Sequence, residues 1–202
     1  MTGVRPRLGV LGGSFDPPHL GHLVIASEAC AHFGLDRVLF VPAAAPPHKD
    51  GGHRTAASER LAMTELAVEH DPRLDVLGLE LERDLVYTRD TVHALAGLFP
   101  DHELLFIMGS DSLLQLETWY DPEGILGICT LAVAMRPGDD PGAVAAALER
   151  WGAGRAQLME APLVGISSSA VRARVAIGLP IRYLVPPAVE GYVRQHDLYR
   201  QT

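Results

Sequence analysis

The chain has 202 residues, 48% of them hydrophobic and 21% charged, which suits a globular protein with a substantial core. Its formal net charge of −8 argues against general nucleic-acid binding, which calls for a basic face. No apolar run reaches the ~18 residues a membrane span needs and no signal-like apolar core opens the chain, so a cytoplasmic protein without a membrane partner is expected.

The cations are unevenly spread. No Lys or Arg lies between Arg89 and Arg136, whereas Lys49, Arg54 and Arg60 crowd one segment and Arg172 and Arg174 another. A local anion site therefore remains compatible with an acidic chain. Cys30 and Cys129 sit among apolar neighbours and read as two buried free thiols rather than a disulfide, as in a reducing compartment.

In chain order, residues 7–11 read as a strand, 20–33 as a helix stopped by Gly34, and 38–41 as a second strand. A helix over 57–70 ends near Pro72, a strand follows over 74–81, and a helix over 88–98 ends before Pro100. Strands over 103–108 and 128–135, a helix over 141–151, a short strand over 157–160 and two C-terminal helical pieces complete the pattern. Short apolar strands alternating with helices imply an α/β fold, a doubly wound parallel sheet with helices on both faces and a small helical segment over 166–202. No linker divides 1–202, so one domain is expected. The Pro- and Gly-rich stretch 43–53 is the candidate mobile lid.

Ligands in such sheets bind beyond the carboxyl ends of the strands, and the informative motifs fall there. The first strand runs into Gly12-Gly13-Ser14-Phe15-Asp16-Pro17-Pro18-His19-Leu20-Gly21-His22. Glycines let backbone N–H groups approach a polyanion, and the following helix start adds partial positive charge. His19 and His22 share one face of a helical turn and can address one target. Three readings stand at this point: a metal-binding pair, helix-capping histidines, or donors that stabilise a phosphate in transfer.

The run from Gly12 to His22 resembles the signature of the nucleotidyltransferase superfamily with its H-x-G-H core, and so implies a Rossmann-like sheet. Within it the chain is similar to the bacterial nicotinate-mononucleotide adenylyltransferases, because further matches follow in order across nearly its whole length. Residues 42–49, Pro-Ala-Ala-Ala-Pro-Pro-His-Lys, resemble the family's P-x-x-x-P-P-H-K loop, which delivers Lys49 as a point charge. Tyr87-Thr88-Arg89-Asp90-Thr91 resembles Y-T-x-D-T, and Gly109-Ser110-Asp111 resembles G-x-D. Ile166-Ser167-Ser168-Ser169-Ala170-Val171-Arg172 resembles I-S-S-T-x-I-R, with Ser169 and Val171 as mild departures.

The resemblance implies a transfer between ATP and nicotinate mononucleotide that yields deamido-NAD and pyrophosphate in NAD biosynthesis, with Mg²⁺ carried on the ATP. It implies His19, His22 and Lys49 as catalytic residues. ATP would meet Gly12, Gly13, Ser14, Phe15, His19, His22, Gly109, Asp111, Ile166, Ser167, Ser168 and Arg172. The mononucleotide would meet Ser14, Lys49, Tyr87, Thr88, Trp119 and Tyr120, with Trp119 stacked on the pyridine ring. No protein metal ligand is implied.

Read from the residues alone, Trp119 also fits a core anchor, Asp111 and the serines fit helix caps, and Lys49 fits a solvated surface residue. The role of Arg136, before Pro137-Gly138, stays open, and the C-terminal run through Tyr199 reads as packing. Rival functions are a sister enzyme using nicotinamide mononucleotide or phosphopantetheine, a non-catalytic nucleotide sensor, and a zinc-dependent hydrolase. Apolar residues on the last helices leave a homodimer open.

Overall fold

The computed structural model describes residues 5–44, 55–136, 138–152, 154–162 and 164–200. Six parallel strands, β1 (Arg7–Gly13), β2 (Arg37–Pro42), β3 (Leu74–Val76), β4 (Glu103–Gly109), β5 (Cys129–Ala134) and β6 (Ala156–Met159), form one sheet in the order β3-β2-β1-β4-β5-β6. The winding reverses between β1 and β4, the place where doubly wound sheets open a crevice for ligands. The glycine run after Leu11 does not end the first strand early. Gly12 pairs with Val41 and Gly13 with Pro42, so β1 carries both glycines to its carboxyl edge.

Alternation along the strands sorts the two faces. Leu104, Phe106 and Met108 pack into one core with Leu8, Val10 and Val41, under α4 (Thr88–Leu98), α6 (Pro122–Leu126) and α7 (Pro141–Trp151). Leu105 and Ile107 face the other way, joining Phe15, Phe40, Ala132 and the Ala26–Phe33 side of α1 (Leu20–Phe33). Gly9 is required where α1 turns back into β2, since a Cβ there would stand 2.7 Å from Leu35 and 2.8 Å from Val38. At the end of α1, Gly34 adopts φ 61° and its N–H closes the helix onto the Cys30 carbonyl.

A third, smaller core joins Met63 of α2 (Ala57–Val68) to Val171 of α8 (Ser168–Ala176) and to Val189 and Val193 of α9 (Pro187–Gln195). The C-terminal helices thus pack on α2. Apolar surface remains on the turn between them, where Ile177 and Tyr183 are 70% and 81% exposed.

Two differences from the sequence pattern stand out. The strand expected over 74–81 stops at Val76, and Leu79–Arg83 forms α3. The alternating leucines had the strand period, but Gly78 breaks the run and Glu80 turns inward to accept the Thr91 hydroxyl at 2.7 Å. Between β4 and β5 the helix start expected at Gly109-Ser110-Asp111 is α5 (Ser110–Leu114), while two further short pieces were not foreseen, a 3₁₀ turn over Leu116–Thr118 and α6. Each is too short for a helical period to show in the sequence.

Both cysteines are free and buried, and burial pushes the Cys129 thiol up to about 12. Among the described residues, no helix is long and apolar enough to cross a membrane.

Candidate active site

The glycine turn leaves β1 and bends at once. Phe15, at φ 47°, drives its ring into the core at 1% exposure, stacking edge-on against His22 and near Phe40, with centroids 5.0 and 5.4 Å away. This buried anchor fixes where α1 begins. The Cβ of any residue replacing Gly13 would lie 3.0 Å from the Phe15 ring, so the second glycine makes room for the bend.

His19 is the N-cap of α1, and His22 sits one turn on. Their rings stack at 3.7 Å with planes 24° apart. The His19 backbone N–H donates to His22 Nδ1 at 3.1 Å, and the His22 N–H donates to the His19 carbonyl at 2.9 Å. Because His22 Nδ1 accepts, the proton of the neutral ring belongs on Nε2, free to donate elsewhere. Among the described residues the buried His19 Nδ1 has no hydrogen-bond partner, and it lies over Gly21, where an added Cβ would stand 3.0 Å from it. The glycine inside H-x-G-H is thus a steric requirement of the first ring.

Both imidazoles are neutral at physiological pH. Burial, then the charge of Arg136, lowers His19 to about 4. Burial, His19 and Arg136 hold His22 well below its ordinary value. The capping alternative is partly real, since His19 occupies the N-cap and His22 Nδ1 accepts its backbone N–H as in a capping box.

Arg136 is the functional candidate that sequence reading left without a role. It follows β5, and its Nη1 donates to Asp111 Oδ2 at 2.7 Å across the end of β4. Its backbone N–H donates to the buried Ser110 hydroxyl at 2.8 Å, and that hydroxyl donates to Asp139 at 2.5 Å. Asp111 therefore does not cap α5; it pairs with a guanidinium whose charge reaches the histidines. A Cβ at Gly109 would meet Asp111 Oδ1 at 2.5 Å and Arg136 Nε at 3.1 Å, so the glycine lets this pair close over the end of β4.

The serine run lands beside the same turn. Ser167 caps α8 by accepting from the Ala170 N–H at 3.1 Å. Ser168 donates to the Pro17 carbonyl at 2.8 Å, and Arg172 donates to the Asp16 carbonyl at 2.7 Å. Ile166 is half-buried against the third core. Tyr199, which read as packing, donates its hydroxyl to Asp16 Oδ1 at 2.7 Å across 183 positions of chain. Burial raises that phenol far above its ordinary value, so it stays protonated.

On the other flank, the structure brings the Tyr87 and Tyr120 segments together. The two rings lie 4.7 Å apart at 49% and 57% exposure, and Arg89 reaches Asp121 at 3.4 Å. Thr88 opens α4, while Trp119 is half-buried edge-on to Phe106 at 6.2 Å. The core-anchor reading of Trp119 thus holds for one edge of the ring. Lys49 and residues 45–53 of the candidate lid lie outside the described residues.

Residues 10–174 match the cytidylyltransferase-like family model. A protein of Salinibacter ruber named "Probable nicotinate-nucleotide adenylyltransferase" is 43% identical over 196 residues, covering 96% of this chain and 98% of its own. The chain belongs to this family. One of Symbiobacterium thermophilum with the same name is also 43% identical, covering 96% of this chain and 95% of its own. The nicotinic acid mononucleotide adenylyltransferase of Plasmodium falciparum, solved in complex with NaAD, superposes with a TM-score of 0.80. It covers 96% of this chain and 97% of its own at 18% identity, a likeness of fold. The likeness in sequence to relatives of that name, and in fold to the solved enzyme, thus runs along nearly the whole chain.

Proposed function

We infer that this chain joins ATP and nicotinate mononucleotide, giving deamido-NAD and pyrophosphate, as a nicotinate-nucleotide adenylyltransferase of NAD biosynthesis. One observation carries the site reading. At the switch point of the sheet, a glycine turn presents two stacked neutral imidazoles, and the Tyr87–Tyr120 lip stands on the flank of the same carboxyl edge.

In the reaction, a 5′-phosphate oxygen of the mononucleotide attacks the α-phosphorus of ATP. The new P–O bond forms as the bond to the β-phosphate bridge breaks, and its electron pair leaves with pyrophosphate. The attacking phosphate is already ionised near neutral pH, so no general base is required. The chain's task is to bring two anions together and to stabilise the charge that grows on the α-phosphate oxygens.

His22 Nε2–H and His19 act as neutral donors to those oxygens, and Lys49 adds a positive charge. Gly12, Gly13, Ser14 and Phe15 line the phosphate turn, while Gly109 and Asp111 meet the adenosine. Ile166, Ser167, Ser168 and Arg172 border the β- and γ-phosphates. Thr88 and Tyr120 offer backbone N–H groups to the pyridine carboxylate, with Tyr87 and Trp119 beside the ring.

Nucleotidyltransferases of this kind use a divalent metal with ATP. We assign Mg²⁺, held by phosphate oxygens and water as part of the substrate. Among the described residues, no group of three or more His, Cys, Asp or Glu gathers that could hold an ion itself. The two free buried thiols support a cytoplasmic setting. Packing of the C-terminal helices on α2 supports reading 1–202 as one domain.

The test is pyrophosphate release with ATP and either nicotinate or nicotinamide mononucleotide in parallel. Faster turnover of the acid is expected. No release with either, despite bound ATP, would leave a nucleotide sensor instead.

A further inference from the structure

Arg60, on the first turn of α2, is 3% exposed. Its fork spans two loops. Nη1 donates to the Ser14 carbonyl at 2.7 Å, and Nη2 donates to the carbonyls of Ala43 at 2.6 Å and Ala44 at 3.2 Å. Ser14 follows β1 and Ala43 follows β2, the neighbouring strand, so one guanidinium ties together the two chain segments that leave the centre of the sheet. The arrangement is costly unless its partners matter. A buried cation loses its hydration, here offset by three carbonyls and by the charges of Asp16 and Glu80 nearby.

The peptide plane turns this clamp into an orientation. In a trans peptide the carbonyl and the following N–H point in opposite directions. With the Ser14 carbonyl held on Arg60, the Phe15 N–H is directed away from α2. We propose that Arg60 is a positioning residue: by pinning the Ser14 carbonyl it aims the Phe15 N–H at the nucleotide phosphates and locks the turn that carries His19. Only a planar fork serves this purpose, because two nitrogens must reach two loops at once. The Ser168, Arg172 and Tyr199 side chains brace the next two residues, Asp16 and Pro17, from the opposite end of the sequence. The turn is thus held on its backbone from two elements remote in the chain.

The proposal rests on the adenylyltransferase reading, and wild-type pyrophosphate release in the same assay keeps the two separable. Arg60→Lys retains the charge and loses the fork. Its kcat is expected to fall about tenfold or more, as small misplacements of reacting groups do, while the KM for nicotinate mononucleotide stays within about threefold. Val193→Ala, in the third core and away from the turn, serves as the control for lost stability. Both variants are assayed about ten degrees below the lower of their melting midpoints, so that each is folded. The proposal is overturned if Arg60→Lys keeps a smaller deficit than this, if Val193→Ala loses kcat equally, or if the deficit lies in the mononucleotide KM.

Discussion

The two flanks of the site are built on opposite principles. The turn after β1 is sunk into the protein: Phe15, His19 and Arg60 are 1%, 4% and 3% exposed, and side chains from α2, α8 and the C-terminus bond its backbone or Asp16. The lip formed by Tyr87 and Tyr120 stands in solvent in the bends that precede α4 and α6, joined by a ring contact and the exposed Arg89–Asp121 pair. Exposed pairs of this kind contribute at most about 1 kcal/mol, whereas a buried hydrogen-bonded network resists distortion. Charge stabilisation needs donors that do not reorganise during reaction, so rigidity belongs on the phosphate side. Recognition of a ring tolerates a softer wall.

The largest effect should come from the rigid flank. His22→Ala is expected to lower kcat about 10²–10³-fold, the usual cost of a lost transition-state donor, with the fold retained. Steady-state pyrophosphate release measures it, and an unchanged kcat would remove the imidazoles from the chemistry.

Next comes pH. The folded His19 ring titrates at about 4 against an ordinary 6.5, so between these values the unfolded chain binds a proton that the folded ring refuses. Stability is therefore full above pH 6.5 and falls with acid, by up to about 1.4 kcal/mol per unit for each such ring. His22 shifts in the same direction. Thermal melts of the ligand-free protein should drop steeply between pH 6.5 and 4.5, and less so in His19→Asn. A flat profile would mean that the rings are solvated and the contrast between the flanks is lost.

The smallest change should come from the soft flank. Trp119→Ala is expected to raise the KM for the mononucleotide about tenfold while that for ATP moves little, as loss of one stacked aromatic does. Equal changes in both would make Trp119 a packing residue alone.

Much of this was legible before any coordinates. The strand–glycine–histidine run, the limits of α1, α4 and α7, and the placement of motifs at strand ends follow from local periodicity and from Gly and Pro punctuation. Arg136 and Tyr199 were visible as residues but not as parts of the site. Nothing near them in the chain carries a signal, because their partners Asp111 and Asp16 lie 25 and 183 positions away. Residues 74–81 misled because the leucines at 77, 79 and 81 alternate with the strand period, while the Thr91 hydroxyl that draws Glu80 inward comes from eleven positions away.

Local order in the chain picked out the candidate phosphate-facing groups, since turn chemistry and helix starts depend on residues a few positions apart. The third dimension alone decided that both imidazoles are neutral and that buried Arg60 and Tyr199 brace the turn from behind. Burial and long-range hydrogen bonds arise only when distant segments meet, and no pattern of neighbours along the chain encodes them.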